Sequence, residues 1–424
     1  MRDMGGGVRP PPTNLAFSGV GTHTESMTNA DVVIVGAGVV GLSLARELTG
    51  RGARVLVLDK EDRPGRHASG RNSGVLHAGI YYAPGTARAA TCLAGNRLMR
   101  AYCLDHGLPI SETGKVIVAK SPEELPLLRS LYDRAKSAGA QVRLVDREEL
   151  RDIEPHARTV DQAIHSPLTA VVDPEAILMS LRRELRASGR SEVRFGIAAL
   201  GPAGKRVLAT SAGPVEYRAM VNASGAFADR LAHTFGAAMN HVLVPFKGMY
   251  RKLASSATHL ARGSIYPVPD PATPFLGIHF TRSVRGDVYL GPTAIPALGR
   301  ENYGILKGLD SEAPEILWRD ACLFASNPTF RAVALSEPRK YLFRHFFADA
   351  SQLVEGLSPG DVLPSTKVGI RPQLVDLATN RLVMDFLTES GPAELHVLNA
   401  ISPAFTSSMA LAETLADKVR DLTA

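Results

Sequence analysis

Cysteine is scarce. The 424 residues contain three, Cys92, Cys103 and Cys322. An odd, sparse set without a C-x-x-C pair excludes a disulfide framework and a structural zinc site. It points to a reducing compartment, read here as cytoplasmic. Long apolar runs are missing too. None reaches the ~18 residues that a membrane-crossing helix needs. The longest, Val32 to Leu42, is interrupted by Gly36, Gly38 and Gly41. Tryptophan occurs once, and no dense Lys/Arg cluster is interleaved with aromatics, which argues against nucleic acid as a partner. Internal repeats and long charge blocks are absent. Residues 1–26 hold Gly5-Gly6-Gly7, Pro10-Pro11-Pro12 and few large apolar side chains. They bury too little to offset their ordering entropy and read as a disordered N-terminal extension. They also lack the apolar core of a secretory signal.

What remains is ordinary globular composition, 45% hydrophobic and 21% charged, which excludes whole-chain disorder, collagen and coiled coil. Only 11 of the 48 basic residues are lysine, so arginine dominates the net charge of +6. That balance suits a small anionic substrate, an anionic cofactor or peripheral contact with an anionic membrane. The chain is long enough for two or three domains. Apolar patterning predicts a strand at 31–36, a helix at 39–51 and a strand at 54–59, then a Gly/Ser/His-rich loop over 62–85. A helix is expected at 87–106. Ser121-Pro122-Glu123-Glu124 and Asp173-Pro174-Glu175 each open another. Residues 241–300 look strand-rich and 308–357 helical. Strands at 382–386 and 395–399 and a helix at 404–422 complete the chain. Strand signals at both ends flank a different middle. The expected fold is α/β: a Rossmann-type nucleotide-binding domain with an inserted α+β substrate domain on a mostly antiparallel sheet. The nucleotide domain is assigned 27–85, 142–237 and 362–424. The substrate domain takes 86–141 and 238–361.

The strongest local motif is Gly36-Ala37-Gly38-Val39-Val40-Gly41. Alone, G-x-G-x-x-G is a weak signal. Here it follows a Val/Ile strand and opens a helix, the context its mechanism requires. Gly36 makes the tight turn, Gly38 lets backbone approach a pyrophosphate, and Gly41 lets helix pack close on strand. The helix N-terminus offers free N–H groups to the phosphates. Asp59 ends the second strand, where an acid binds ribose hydroxyls. These features imply a dinucleotide and leave FAD and NAD both open.

The next segment, His67-Ala68-Ser69-Gly70-Arg71-Asn72-Ser73-Gly74-Val75-Leu76-His77-Ala78-Gly79-Ile80-Tyr81-Tyr82, resembles the signature of the L-2-hydroxyglutarate oxidase/dehydrogenase family, within the D-amino-acid-oxidase-like FAD enzymes. The resemblance continues through Gly114-Lys115, Pro245-Phe246-Lys247-Gly248, Tyr266-Pro267, Ile278-His279-Phe280, Gly369-Ile370-Arg371-Pro372 and Asn399-Ala400-Ile401-Ser402-Pro403. It implies FAD as cofactor and oxidation of a 2-hydroxy acid to a 2-oxo acid. Three positions depart from the family pattern. Lys247 and Met249 stand where Arg and Glu are usual, and Asp59 replaces a Glu.

Such chemistry needs a proton acceptor, a carboxylate anchor and a held flavin. His279 is the first candidate base and His77 the second, because histidine titrates nearest neutrality. Arg371 is the candidate carboxylate anchor, since related amino-acid oxidases use an Arg in a similar Gly-x-Arg-Pro turn. Lys247 is a candidate second anion contact. Tyr81 and Tyr82 are expected to wall the substrate pocket. Ser69, Asn72, Ser73, Ser224, Gly225 and Ser402 are candidate flavin contacts, and Val193 a candidate adenine contact. His67 lies in a string like that through which some related dehydrogenases attach flavin covalently. No metal site is expected. The competing expectation keeps the flavin but oxidises the C–N bond of an amino acid or secondary amine. Oxygen and a quinone are both compatible electron acceptors.

Overall fold

The computed structural model describes residues 30–270, 275–305, 307–309 and 311–423. The expected disordered extension, 1–26, lies outside the described residues. β1, Val32–Val35, is four consecutive buried aliphatics. Such an unbroken apolar strand belongs in the middle of a sheet covered on both faces. It occupies that place: β1 pairs in parallel with β2, Val55–Asp59, on one side and with Ala219–Asn222 on the other. Ser191–Phe195 and Glu394–Asn399 extend this parallel sheet, and Leu387–Ser390 adds an antiparallel edge. Val32, Ile34, Val55 and Val57 pack on the helix layer, which includes α1, Val39–Gly50. Val33, Val35, Leu56 and Leu58 pack on the opposite face, beneath a three-stranded meander. Asp173 caps Pro174–Ala187 as its sequence implies, accepting from the N–H groups of Glu175 and Ala176 at 3.0 and 3.2 Å.

The second unit is a ten-stranded, mostly antiparallel sheet. Its spine is a pair of long strands, His241–Leu253 and Val362–Asp376. Val288–Gly291, His279–Arg282, Ser264–Pro267 and Lys115–Val118 follow in order, and only the last pairing is parallel.

The expected boundaries shift in three places. Arg143–Val145 and Ala163–Ser166 pair into the large sheet, so the nucleotide domain does not resume at 142. Val362–Asp376 also belongs to the large sheet, so the return to the nucleotide domain comes later than 362. The helix Ala87–Asp105 sends Met99, Tyr102 and Cys103 into the nucleotide domain's core, although 86–141 was assigned to the substrate domain. Each shift has one cause. The chain crosses between units where the local pattern marks no boundary, and only non-local pairing reveals the crossing.

Candidate active site

One continuous cavity of about 740 Å³ runs from the β1–α1 turn to the large sheet. At the first end the backbone makes the site. Gly36 has φ +112°, and a Cβ there would lie 2.4 Å from the Ala223 carbonyl oxygen. A Cβ on Gly41 would lie 1.9 Å from the Gly36 oxygen. Both glycines are therefore obligatory, and Gly38 forms the N-cap of α1. The cavity follows this bare backbone into the positive end of the helix dipole, a cradle built for a diphosphate.

The neighbouring side chains brace the cradle. Asp59 accepts the Ala37 N–H through Oδ2 at 2.7 Å and the Glu61 N–H through Oδ1 at 2.9 Å. Each oxygen keeps a lone pair for a ribose hydroxyl, and Asp59 lines the cavity. Ser69 Oγ accepts the Val39 N–H at 2.9 Å, capping α1 where a phosphate oxygen would also approach. Asn72 donates to the Ser69 carbonyl at 2.7 Å and accepts from Gly74 at 2.8 Å, so it fastens its loop. Ser73 lines the cavity. Ser224 lines it too, its hydroxyl donating to Asn222 Oδ1 at 2.6 Å, and Gly225 turns at φ +61°. Ser402 lies at the start of Ala404–Thr423, whose first turn also faces the cavity.

His67 lines the cavity with both ring nitrogens engaged, Nδ1 at 2.7 Å from the Tyr303 hydroxyl and Nε2 at 2.8 Å from Glu61 Oε1. Glu61, His67 and Glu301 sit close enough to hold a metal ion, but the Lys60 ammonium bridges the two carboxylates and takes the cation's place.

Val193 is not in the cavity wall. Its strand pairs it with Val57, and it packs against the helix-side core. The chain reaches the cavity just beyond that strand, through Ile197 and Ala198. The strand's register, invisible to a local pattern, sends Val193 inward.

At the other end, side chains from four strands of the large sheet converge with the signature loop. Tyr250, Tyr266, His279 and Arg371 meet His77, Tyr81 and Tyr82. The His279 Nδ1–H donates to the Gly277 carbonyl at 2.8 Å, which leaves Nε2 with its lone pair. The Tyr266 ring stacks on the imidazole at 3.8 Å between centroids. Burial, with the Lys115 and Arg371 charges, pushes the His279 pKa down to about 3, against backbone hydrogen bonding to Gly277, which acts the other way. Burial also holds His77 well below the ordinary range, helped by the Lys115, His279 and Arg88 charges, and its Nδ1 has no partner. Both histidines are thus neutral at physiological pH. Burial pushes the Tyr81 phenol well up, and its hydroxyl is buried without a partner. Tyr82 is pushed up likewise, with the Arg88 guanidinium 4.6 Å from its ring centre.

Arg371 is the unusual charge. Among the described residues no carboxylate pairs with its guanidinium and nothing hydrogen-bonds it; its contact is the Phe275 ring, 5.1 Å away. Burial lowers its pKa, against smaller opposing influences from Tyr250, Glu337 and Tyr266. Lys247 departs from expectation. Although it is the neighbour of Gly248, which lines the cavity, its Nζ donates to the Gly304 carbonyl at 2.5 Å and does not line the site. Strand alternation explains this: one position along an extended chain reverses the side chain's face. Tyr250 and Tyr266 were missed as site residues. For Tyr266 the signal was its place in the motif Tyr266-Pro267.

Comparison with known proteins agrees with this geometry. Residues 31–418 match the family model described as FAD dependent oxidoreductase, DAO. The chain is 36% identical to the mitochondrial L-2-hydroxyglutarate dehydrogenase of Nematostella vectensis, over 92% of this chain and 90% of that protein. It is 33% identical to the L-2-hydroxyglutarate dehydrogenase of Escherichia coli (strain K12), over 93% and 94%. Among solved structures, the L-alpha-glycerophosphate oxidase of Mycoplasma pneumoniae superposes with a TM-score of 0.72 at 20% identity, covering 93% of this chain and 94% of that one. Glycine oxidase from Geobacillus kaustophilus follows with 0.69 at 19%, over 92% and 95%. A cradle shaped by Gly36 and Gly41, a cavity continuous with a neutral histidine pair and an unpaired arginine, and relatives of this similarity lead to one conclusion: the chain belongs to the L-2-hydroxyglutarate dehydrogenase family of FAD-dependent oxidoreductases.

Proposed function

We propose that the protein oxidises a small 2-hydroxy acid of the L-2-hydroxyglutarate type to the 2-oxo acid, with FAD as cofactor. The observation that carries this reading is the unpaired Arg371 guanidinium beside neutral His279, in the cavity that continues into the dinucleotide cradle. Gly36, Gly38, Gly41, Asp59, Ser69 and Ser224 would hold the cofactor. When bound, FAD supplies a hydride acceptor at its ring.

The protein's own groups prepare the substrate. Arg371 takes the C1 carboxylate through two parallel charge-assisted hydrogen bonds, which fixes the orientation of C2. The substrate hydroxyl donates to His279 Nε2, the free lone pair of a ring already oriented by Gly277. A bound carboxylate also cancels part of the Arg371 field, so His279 becomes a stronger base when substrate is present. His77 stands ready as the second acceptor. The aromatic wall of Tyr81, Tyr250 and Tyr266 excludes water around the reacting carbon.

The same reading keeps the enzyme cytoplasmic. It leaves oxygen or a quinone to take the electrons, and a membrane quinone would bring the Arg-rich surface against anionic lipid. Among the described residues no helix is long and apolar enough to cross a membrane.

Anaerobic mixing of purified holoenzyme with a panel of 2-hydroxy and 2-amino acids tests the proposal. L-2-hydroxyglutarate should bleach the flavin. Bleaching by a 2-amino acid or secondary amine, and not by 2-hydroxy acids, would replace this reading with C–N oxidation. Re-oxidation by oxygen or by a quinone analogue then identifies the acceptor.

A further inference from the structure

Asn222 and His396 lie outside the cavity wall, yet they decide how one part of that wall bonds. Asn222 ends the strand Ala219–Asn222, with Val35 beside it on one side and His396 on the other. Both are fully buried, at 0% exposure. A buried amide needs its donors and acceptors used, and here every one is. Its Oδ1 accepts the Ser224 N–H at 3.2 Å and the Ser224 hydroxyl at 2.6 Å. Its Nδ2 donates to the Ala228 carbonyl at 2.7 Å and to His396 Nδ1 at 3.2 Å. The directions follow by elimination. A backbone N–H can only donate and a carbonyl can only accept, so Ser224 and Ala228 fix which end of the amide is oxygen and which is nitrogen. The nitrogen then faces His396 Nδ1, which must be the lone-pair nitrogen. Burial lowers the pKa of that imidazole, against the Glu394 and Glu389 charges. Its Nε2 is buried without a partner, so the bond the ring makes is the acceptor it offers Asn222.

The consequence reaches the cavity through Ser224, which lines it. A hydroxyl has a single proton, and Ser224 spends it inward on Asn222. What it shows the cavity is lone pairs. Ser69 has the opposite polarity: its Oγ accepts the Val39 N–H at 2.9 Å, and no described residue takes its proton. A phosphate oxygen, which only accepts, suits Ser69 and is repelled by Ser224. A hydroxyl suits Ser224. Strand order says which hydroxyl. Asp59, the glycine turn and Ser224 stand at the ends of neighbouring strands, in the order β2, β1, Ala219–Asn222. With the ribose of a dinucleotide on Asp59 and its diphosphate on the glycines, the ribityl chain of FAD would come next, beside Ser224. The Ser224 turn is also pressed into the place left by the missing Gly36 side chain, where a Cβ would lie 3.2 Å from Ser224 Cα.

We infer that Asn222, braced by His396, is a positioning residue for the cofactor. It locks Ser224 as a hydrogen-bond acceptor, so the cradle takes a ribityl hydroxyl at that point and not a phosphate oxygen. The inference rests on FAD as the cofactor of this site and is independent of which bond of the substrate is oxidised.

The test compares binding of FAD, of FAD analogues each lacking a different ribityl hydroxyl, and of ADP to the full-length chain freed of flavin. In the wild type one analogue should bind about fivefold or more weakly than FAD, the loss of one hydrogen bond. In Ser224→Ala that discrimination should shrink to within about twofold, while ADP, which has no ribityl chain, binds as it does to the wild type. Asn222→Leu should weaken FAD about tenfold or more and remove most of the discrimination, again sparing ADP. His396→Leu should act in the same direction with smaller size. Analogues that all match FAD in the wild type, or a discrimination that survives Ser224→Ala, would overturn the acceptor assignment. Equal loss of FAD and ADP in Asn222→Leu would overturn the positioning role, because it marks a general collapse of the turn. The wild type and Ser224→Ala decide the matter if Asn222→Leu does not fold.

Discussion

The two ends of the cavity are made by different means. At the dinucleotide end, backbone does the binding, and the decisive residues fall within six consecutive positions, Gly36 to Gly41. At the substrate end, side chains do it, and Tyr250, Tyr266, His279 and Arg371 come from four separate strands, the last of them some 80 residues beyond the other three. The first end depends on room for the main chain. The second depends on register, because each strand must present the correct alternate residues. Damage should therefore be structural at one end and chemical at the other.

The largest expected effect is at the backbone end. Gly36→Val places a branched side chain at φ +112° against the Ala223 carbonyl. Flavin-free or insoluble protein is expected, read from the ratio of flavin to protein absorbance after purification. Retained stoichiometric FAD would break the comparison. Arg371→Met should do the opposite. We expect kcat/KM for 2-hydroxyglutarate to fall on the order of 10²–10³-fold, about 3–4 kcal/mol, with full FAD content and an unchanged or higher Tm. Low flavin occupancy in this variant would show that the two ends are not separable.

His279→Gln is expected to slow anaerobic flavin reduction on the order of 10²-fold, within the usual range for a positioned base. It also has a stability signature. The folded-state pKa of about 3 lies below the ordinary histidine value, so the unfolded chain binds the extra proton first. Stability is then complete above about pH 6.5 and falls as pH drops toward 3, by up to ~1.4 kcal/mol per pH unit for this histidine. The Tm of the wild type should drop between pH 6.5 and 5, and His279→Gln should flatten that slope. An unchanged slope would place the acid sensitivity elsewhere. The smallest effect belongs to Val193→Ala. It should cost about 1 kcal/mol in chemical denaturation and leave FAD affinity unchanged, because Val193 packs in the core and not on the adenine. Weakened FAD binding would return Val193 to the site.

The same contrast decides what could be read before the fold was known. The dinucleotide end was legible because its physics is local: a strand, three glycines and a helix start. The tyrosine pair and Arg371 were singled out through motif resemblance, and all three line the one cavity. Residues whose roles depend on alternation were misplaced. Lys247 and Val193 are correct in their elements and wrong in their faces. The long strand Val362–Asp376 was hidden because Pro364, Gly369 and Pro372 interrupt its pattern, although tertiary pairing with His241–Leu253 holds it extended. Local propensity could not show that two distant interrupted segments complete each other.

The hydroxyl of Ser69 on the Val39 amide has a consequence for how the enzyme is assembled. A helix start whose N–H groups are bare would rearrange or collapse when no diphosphate is present. Here a neutral oxygen from the neighbouring short helix Ala68–Arg71 keeps one of them engaged, and Asp59 ties the turn beside it. The cradle is thus preformed for its guest. Stripped of FAD, the chain should keep its shape and regain cofactor rapidly on mixing, while a Ser69→Ala chain should reload slowly.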